Sequence, residues 1–325
     1  MKSKLIFRVD ANAKIGRGHL SRSLAIASML DKAFEVLFVS LEQCKNYIQG
    51  LNLNYELKTI EKEEDIFEIL TKKDFVWLDG YQFTEHYKKI VQSKVSKLIE
   101  TNDIPYNPTY VDVLFNHTPG LSKQDFGETK TDLYLGLDYA LLRSSFLEYA
   151  RKNTSTGGGE GVFICFGGAD TYNLGYKFVQ QLMHYNFEAP IYWITHQRNK
   201  DLNLAPNVHV LSHLDEFEMI DYMTQSKVLL MPSSVLSFEA IALRKPIFTG
   251  YFVDNQKRIF EGLKKNKIAD CFGYLEKDDE VTQAVLSFLE FYKDEERQDR
   301  MINKQKEMID GKSGKRIEAV LKALG

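Results

Sequence analysis

The sequence predicts an α/β protein built from two Rossmann-like halves, each a parallel sheet wrapped by helices. Short apolar runs rich in branched and aromatic residues recur along the chain, with helical patterns between them. Most runs are apolar throughout rather than alternating, as strands covered on both faces are. At 325 residues the chain also exceeds the ~250–300 at which single cores stop growing.

The first half starts with a run at 5–9, and further strands are expected at 35–39, 75–78, 97–99 and 111–115. The second series falls at 162–166, 191–194, 208–211, 228–231 and 247–249. Between them lies Thr154-Ser-Thr-Gly-Gly-Gly-Glu-Gly161, a flexible-linker composition. This divides the chain into a first domain at 1–153, a linker at 154–161 and a second domain at 162–325. From Asp279 onward the sequence is charged and helical. Those helices are assigned to the second domain, with packing back across the first left open.

Composition removes several function classes. With 44% hydrophobic and 27% charged residues, the chain is neither disordered nor fibrous. A net charge of −3 offers no global basic field for nucleic acid or an anionic membrane. No apolar run approaches the ~20 residues of a membrane span, and the stretch after Met1 breaks at Arg8 and Asp10, unlike a secretory signal. Cys44, Cys165 and Cys271 are scattered and odd in number, which reads as thiols rather than disulfides. A cytoplasmic enzyme is expected.

Strand-to-helix turns carry the chemistry. Leu5-Ile-Phe-Arg-Val-Asp10 runs into Ala-Asn-Ala-Lys-Ile-Gly16-Arg-Gly18-His19, and a helix follows with Leu20, Leu24 and Ala27 on one face. Gly16 and Gly18 allow close backbone approach to a ligand, and the N–H groups of a helix start point into the same space. His19 stands there, where open α/β sheets bind ligands; a surface histidine after a loop is the plain alternative. The Gly-x-Gly pair lacks the third glycine and distal acid of a dinucleotide fingerprint, so a nicotinamide cofactor is not expected. The other histidines show no metal-ligand spacing, so no metal is expected either.

In the second half, Val162-Phe-Ile-Cys-Phe166 leads into Gly167-Gly168-Ala-Asp170, with a helix expected near Asn173. Val228-Leu-Leu-Met231-Pro leads into Ser233-Ser234, whose hydroxyls suit either a helix N-cap or a phosphate. Glu239 lies one turn into that helix, placed to accept from a ribose or to favour the helix start. Asp254-Asn255-Gln256 opens another helix after a strand.

In order and spacing these pieces resemble the UDP-sugar hydrolases of pseudaminic acid biosynthesis. The resemblance runs through Phe7-Arg-Val-Asp10, Ile15-Gly-Arg-Gly-His19, Leu78-Asp79-Gly80-Tyr81 and Leu135-Gly-Leu-Asp-Tyr139-Ala-Leu-Leu-Arg143. It continues through Phe166-Gly-Gly-Ala-Asp170, Ser233-Ser234 with Glu239, and Asp254-Asn255-Gln256. It implies a GT-B fold with the active site in the cleft between domains, and metal-independent release of UDP with inversion at the anomeric carbon. His19 would be the base that activates water, and Tyr81 would help position the water or the histidine. Gly167-Gly168, Ser233-Ser234, Glu239 and Asn255-Gln256 would hold UDP. The family usually carries Asp-His-Tyr where this chain has Asp79-Gly80-Tyr81, and paired aspartates where it has Asn102-Asp103. Both departures fall on first-domain loops, which would face the sugar. An inverting glycosyltransferase, with His19 deprotonating an acceptor hydroxyl, is the alternative function. A non-catalytic nucleotide-sugar-binding protein is the third.

Overall fold

A computed structural model describes the chain except residues 1, 13–17, 51–53, 153–157, 168–169, 171, 196–202 and 276. It separates into two compact units, 1–144 with 312–325, and 145–311. The expected boundary at 154–161 thus moves to the start of a helix, and the last helix leaves the second domain for the first.

The first unit contains β1 (Lys4–Val9), α1 (Gly18–Leu30), β2 (Glu35–Leu41), α2 (Lys45–Gln49), β3 (Glu56–Ile60), β4 (Phe75–Asp79), α3 (Glu85–Lys94), β5 (Lys97–Thr101), β6 (Val113–Asn116) and β7 (Asp132–Leu135). These strands form one parallel sheet, ordered β3-β2-β1-β4-β5-β6-β7. The order reverses between β1 and β4, the topological switch point of a doubly wound sheet.

Because successive strand residues point to opposite faces, each run feeds two cores. On one face, Phe38, Phe7, Trp77 and Phe115 form a continuous stack across the sheet, with ring centroids 5.1, 5.7 and 5.1 Å apart. On the other face lie Ile6, Val39, Val76, Leu78 and Leu98, packed with Tyr87 and Val91 of α3. A buried aromatic of this size is worth ~3–5 kcal/mol on truncation to alanine.

The second unit begins within α4 (Ser144–Lys152) and continues through β8 (Val162–Cys165), α5 (Leu174–His184), β9 (Ile191–Ile194), β10 (Val208–Leu211), α6 (Glu216–Gln225), β11 (Val228–Pro232), α7 (Val235–Ala242), β12 (Ile247–Tyr251), α8 (Asp254–Asn266), β13 (Asp270–Tyr274), α9 (Asp278–Lys293) and α10 (Glu295–Met308). Its sheet is also parallel, ordered β10-β9-β8-β11-β12-β13, with the reversal between β8 and β11. Arg244 and Gln305 pin α10 to it. The buried Arg244 guanidinium donates to the carbonyls of Gln305 and Ile309 at 2.8 and 2.5 Å, and Gln305 Nε2 donates to those of Lys245 and Ile268, both at 2.9 Å.

The chain then returns to the first unit as α11 (Ser313–Leu324). Its Ile317 and Leu321 are buried in the aromatic core alongside Leu20, Ile26, Ala27 and Leu30 of α1. No helix among the described residues is long and apolar enough to cross a membrane.

Candidate active site

In the first unit the chemistry gathers beyond the carboxyl ends of the central strands. α1 begins at Gly18 and carries His19 in its first turn, followed one turn later by Arg22 and Ser23. β4 ends on Asp79, with Tyr81 two residues beyond. Asp103 follows β5 and His117 follows β6.

Asp79 is the hub. It is buried, and its Oδ1 accepts from His19 Nδ1 at 2.7 Å and from Arg22 Nη2 at 2.6 Å. Its Oδ2 accepts from Arg22 Nε at 3.0 Å and from Ser23 Oγ at 3.2 Å. Burial alone would raise the Asp79 pKa, but the Arg22 charge and the bonds from His19 and Arg22 outweigh it and hold the carboxylate below its ordinary value.

A carboxylate only accepts, so Nδ1 of His19 carries the proton and Nε2 is left as the basic nitrogen. Arg22 only donates, so its Nη2, 3.2 Å from the same Nδ1, is a charge contact rather than a hydrogen bond.

A second carboxylate completes the cluster. Arg22 Nη1 donates to Asp103 Oδ1 at 2.5 Å, and the Tyr81 hydroxyl donates to Asp103 Oδ2 at 2.9 Å. Burial again opposes charge on Asp103, yet Arg22 leads the partners that pull its pKa down to about 2. The Tyr81 ring meets the His19 imidazole edge to face, with centroids 4.8 Å apart at 85°. Tyr81 is nonetheless 49% exposed, so this end of the cluster faces solvent while Asp79 closes it from below. The two expected catalytic residues are therefore side by side.

Asp10, part of the first motif, has a scaffolding place. It is buried and accepts from Arg8 Nη2 at 2.8 Å, Ser40 Oγ at 2.7 Å, Leu41 N at 2.8 Å and Gln82 Nε2 at 3.1 Å, tying β1 to β2 and to the turn after β4.

In the second unit the expected binding residues follow three neighbouring strands, β8, β11 and β12. Gly167 follows β8 at φ +82°, a conformation that favours glycine, and a Cβ there would meet nothing within 4 Å. Ser234 caps α7, its hydroxyl accepting from Leu236 N at 3.3 Å. Ser233 is turned inward and bonds Thr249 Oγ1 at 3.0 Å, so the serine pair divides between core and helix cap. Glu239 is buried on α7. Asn255 is exposed in the first turn of α8, and Gln256 Oε1 accepts from Phe252 N at 3.1 Å. Gly18 opens α1 in the first unit; Gly16 and Gly168 lie outside the described residues.

Sequence reasoning missed Arg22. Its signal was the spacing of three from His19, which puts both on one helix face. Among the described residues, no three His, Cys, Asp or Glu side chains group as metal ligands would.

No family model matches the chain. It is 25% identical over 273 residues to the UDP-2,4-diacetamido-2,4,6-trideoxy-beta-L-altropyranose hydrolase of Campylobacter jejuni, covering 81% of this chain and 96% of that protein. It is 23% identical over 288 residues to an uncharacterized protein of Methanocaldococcus jannaschii, of whose length the chain spans 58%. Among solved structures, MurG of Acinetobacter baumannii superposes with a TM-score of 0.65 at 9% identity, over 99% of this chain and 100% of that one. The UDP-GlcNAc 2-epimerase of Neisseria meningitidis, solved with UDP-GlcNAc bound, does so with a TM-score of 0.66 at 15% identity and the same coverage. At these identities the likeness establishes the fold, two parallel-sheet Rossmann-like domains of the GT-B type.

Proposed function

We infer from the chain's kinship with the UDP-2,4-diacetamido-2,4,6-trideoxy-beta-L-altropyranose hydrolase family that it is an enzyme acting on a UDP-sugar. We propose that it releases UDP from a UDP-2,4-diacetamido-2,4,6-trideoxyhexose by attack of water on the anomeric carbon, with inversion, in surface-glycan biosynthesis of the pseudaminic acid type. The observation that carries this is the His19–Asp79 contact of 2.7 Å. It fixes the imidazole tautomer that leaves Nε2 as a base, at a helix start beyond the carboxyl end of a switch-point strand.

In the reaction, Nε2 of His19 takes a proton from water as the water oxygen bonds to C1. The bond between C1 and the phosphate oxygen breaks, and its electron pair leaves with UDP. Diphosphate is a good leaving group, so no strong general acid is needed. Tyr81, anchored on Asp103, restricts rotation of the imidazole and helps position the water. The second unit supplies the nucleotide site: backbone N–H groups at Gly167 and at the start of α7 toward the diphosphate, with Ser234 at its cap. Glu239 accepts from the ribose hydroxyls, and Asn255 and Gln256 complete the UDP contacts.

The test is to incubate the purified chain with UDP-2,4-diacetamido-2,4,6-trideoxy-β-L-altropyranose, with EDTA and without acceptor, following UDP release and the sugar's anomeric signal by NMR. Release with the inverted anomer first, and a loss of ~10²–10⁴ in turnover with unchanged UDP affinity in His19→Ala, is expected. UDP binding without release would discard hydrolysis of this substrate and favour an inverting transferase on the same fold.

A further inference from the structure

The His19 cluster holds one more charge relationship than a base and its orienting acid require. A histidine bonded to a buried carboxylate is drawn toward its protonated form, since the carboxylate favours the imidazolium. A protonated His19 could take no proton from water. Here two carboxylates, Asp79 and Asp103, face the same corner, which makes the difficulty worse.

Arg22 answers it. It comes from the same helix face as His19 and is nearly inaccessible to solvent. It covers both oxygens of Asp79 with two hydrogen bonds and reaches Asp103 with a third. Its Nη2 then lies 3.2 Å from His19 Nδ1, where a second positive charge would be repelled.

We propose that Arg22 is a positioning residue that lets Asp79 orient His19 without protonating it. Arg22 neutralises the acid while leaving one of its lone pairs for Nδ1–H. The inference rests on His19 being the base. Among the described residues, the charged and titratable groups facing His19 are Arg22 from its own helix, Asp79 from β4, Tyr81 from the turn beyond it and Asp103 from the loop after β5. His117, from beyond β6, stands behind Asp103, its Nε2 3.8 Å from Asp103 Oδ1.

The experiment is an NMR titration of the histidine imidazoles in the full-length chain, with the His19 signal assigned by its loss in His19→Gln. In Arg22→Met the midpoint of His19 is expected at least about one pH unit above wild type, because two carboxylates are left facing it. In Arg22→Lys, which keeps the charge, it should stay near wild type. In Asp103→Asn, which leaves Arg22 less neutralised, it should move the other way. Unchanged midpoints in Arg22→Met and Asp103→Asn would overturn the proposal. So would an Arg22→Lys midpoint displaced as far as that of Arg22→Met, since geometry rather than charge would then be at work.

If Arg22→Met does not fold, the lysine and asparagine variants decide alone. The acid limb of the pH–rate profile should move with the midpoint in each variant. The titration needs no turnover, so a wild type that fails to hydrolyse the UDP-sugar would sink the proposed reaction and leave this question still answerable.

Discussion

Replacing His117 with asparagine removes from the first unit a histidine that must stay neutral for the fold to be stable. His117 is wholly buried, and its Nδ1 accepts the backbone N–H of Leu141 at 3.1 Å. Burial, reinforced by the nearby Arg22 charge, lowers its pKa from 6.5 to about 4, against the pull of Asp103 and Asp79. A histidine whose folded pKa is depressed binds fewer protons folded than unfolded. Its stabilising contribution is therefore complete above the unfolded pKa and is lost as pH falls through the folded one. With the shift from 6.5 to about 4, the loss between about pH 7 and pH 4.5 is on the order of 2–3 kcal/mol.

Asparagine does not titrate, and its amide oxygen can accept from Leu141 in place of Nδ1. The variant's overall stability will differ, but the quantity compared is the change with pH, from which a constant cost cancels. The chain has two tryptophans, Trp77 in the first unit and Trp193 in the second. A Trp193→Phe background therefore makes fluorescence report the first unit alone during urea unfolding. In that background His117→Asn should lose about 2–3 kcal/mol less than the parent over the same pH interval. Equal losses in both would refute the argument, and would mean that His117 is already open to protons in the folded chain.

Three further outcomes are expected. Asp79→Asn removes one of the two carboxylates that face buried Arg22 and should lower unfolding free energy by ~1–3 kcal/mol together with turnover, because Arg22 and His19 lose charged acceptors while Asp103 still faces the guanidinium; a stable and fully active variant in urea titration and kinetics would contradict it. Glu239→Gln should weaken UDP binding by about tenfold or more in calorimetry, the cost of losing a charged acceptor for hydroxyl donors, and unchanged affinity would remove Glu239 from the nucleotide site. Gly250→Ala puts a Cβ into the Phe272 ring and 2.5 Å from the Gly273 carbonyl oxygen, at the register shift between β12 and β13; overpacking there should cost ~1–3 kcal/mol, and an unaltered melting temperature would show that β13 yields easily.

The interior strands were legible because a strand covered on both faces must be apolar along its whole length. The three unexpected strands, β3, β7 and β13, are all sheet edges. β3 alternates exposed and half-buried residues up to a buried Ile60, reading Glu56-Leu-Lys-Thr-Ile60, so no apolar run marks it. The return of α11 was not legible either. Ile317 and Leu321 give it an apolar stripe, but a stripe does not say which sheet it covers. His19 and Tyr81 could be placed from glycine turns and strand ends, whereas Arg22 could not. A charged residue on a helix ordinarily belongs to its solvated face, and Arg22 is buried by partners that arrive from β4 and the loop after β5. Ser233 shows the reverse, since its hydroxyl suited a ligand in sequence and the fold spends it on Thr249.

The docking of α11 has a consequence for how the chain is assembled during synthesis. The first unit supplies the opening strands, yet part of the cover over its aromatic stack lies in 312–325, beyond the whole of the second unit. Emerging from the ribosome, residues 1–144 would wait with that flank of Phe7, Trp77 and Phe115 incompletely sealed while 167 intervening residues are made and folded. The second unit, continuous in sequence, can finish first. The portion translated earliest is thus completed last, and a chain interrupted before Ile317 would leave the ribosome with a finished second unit and an unsealed first one.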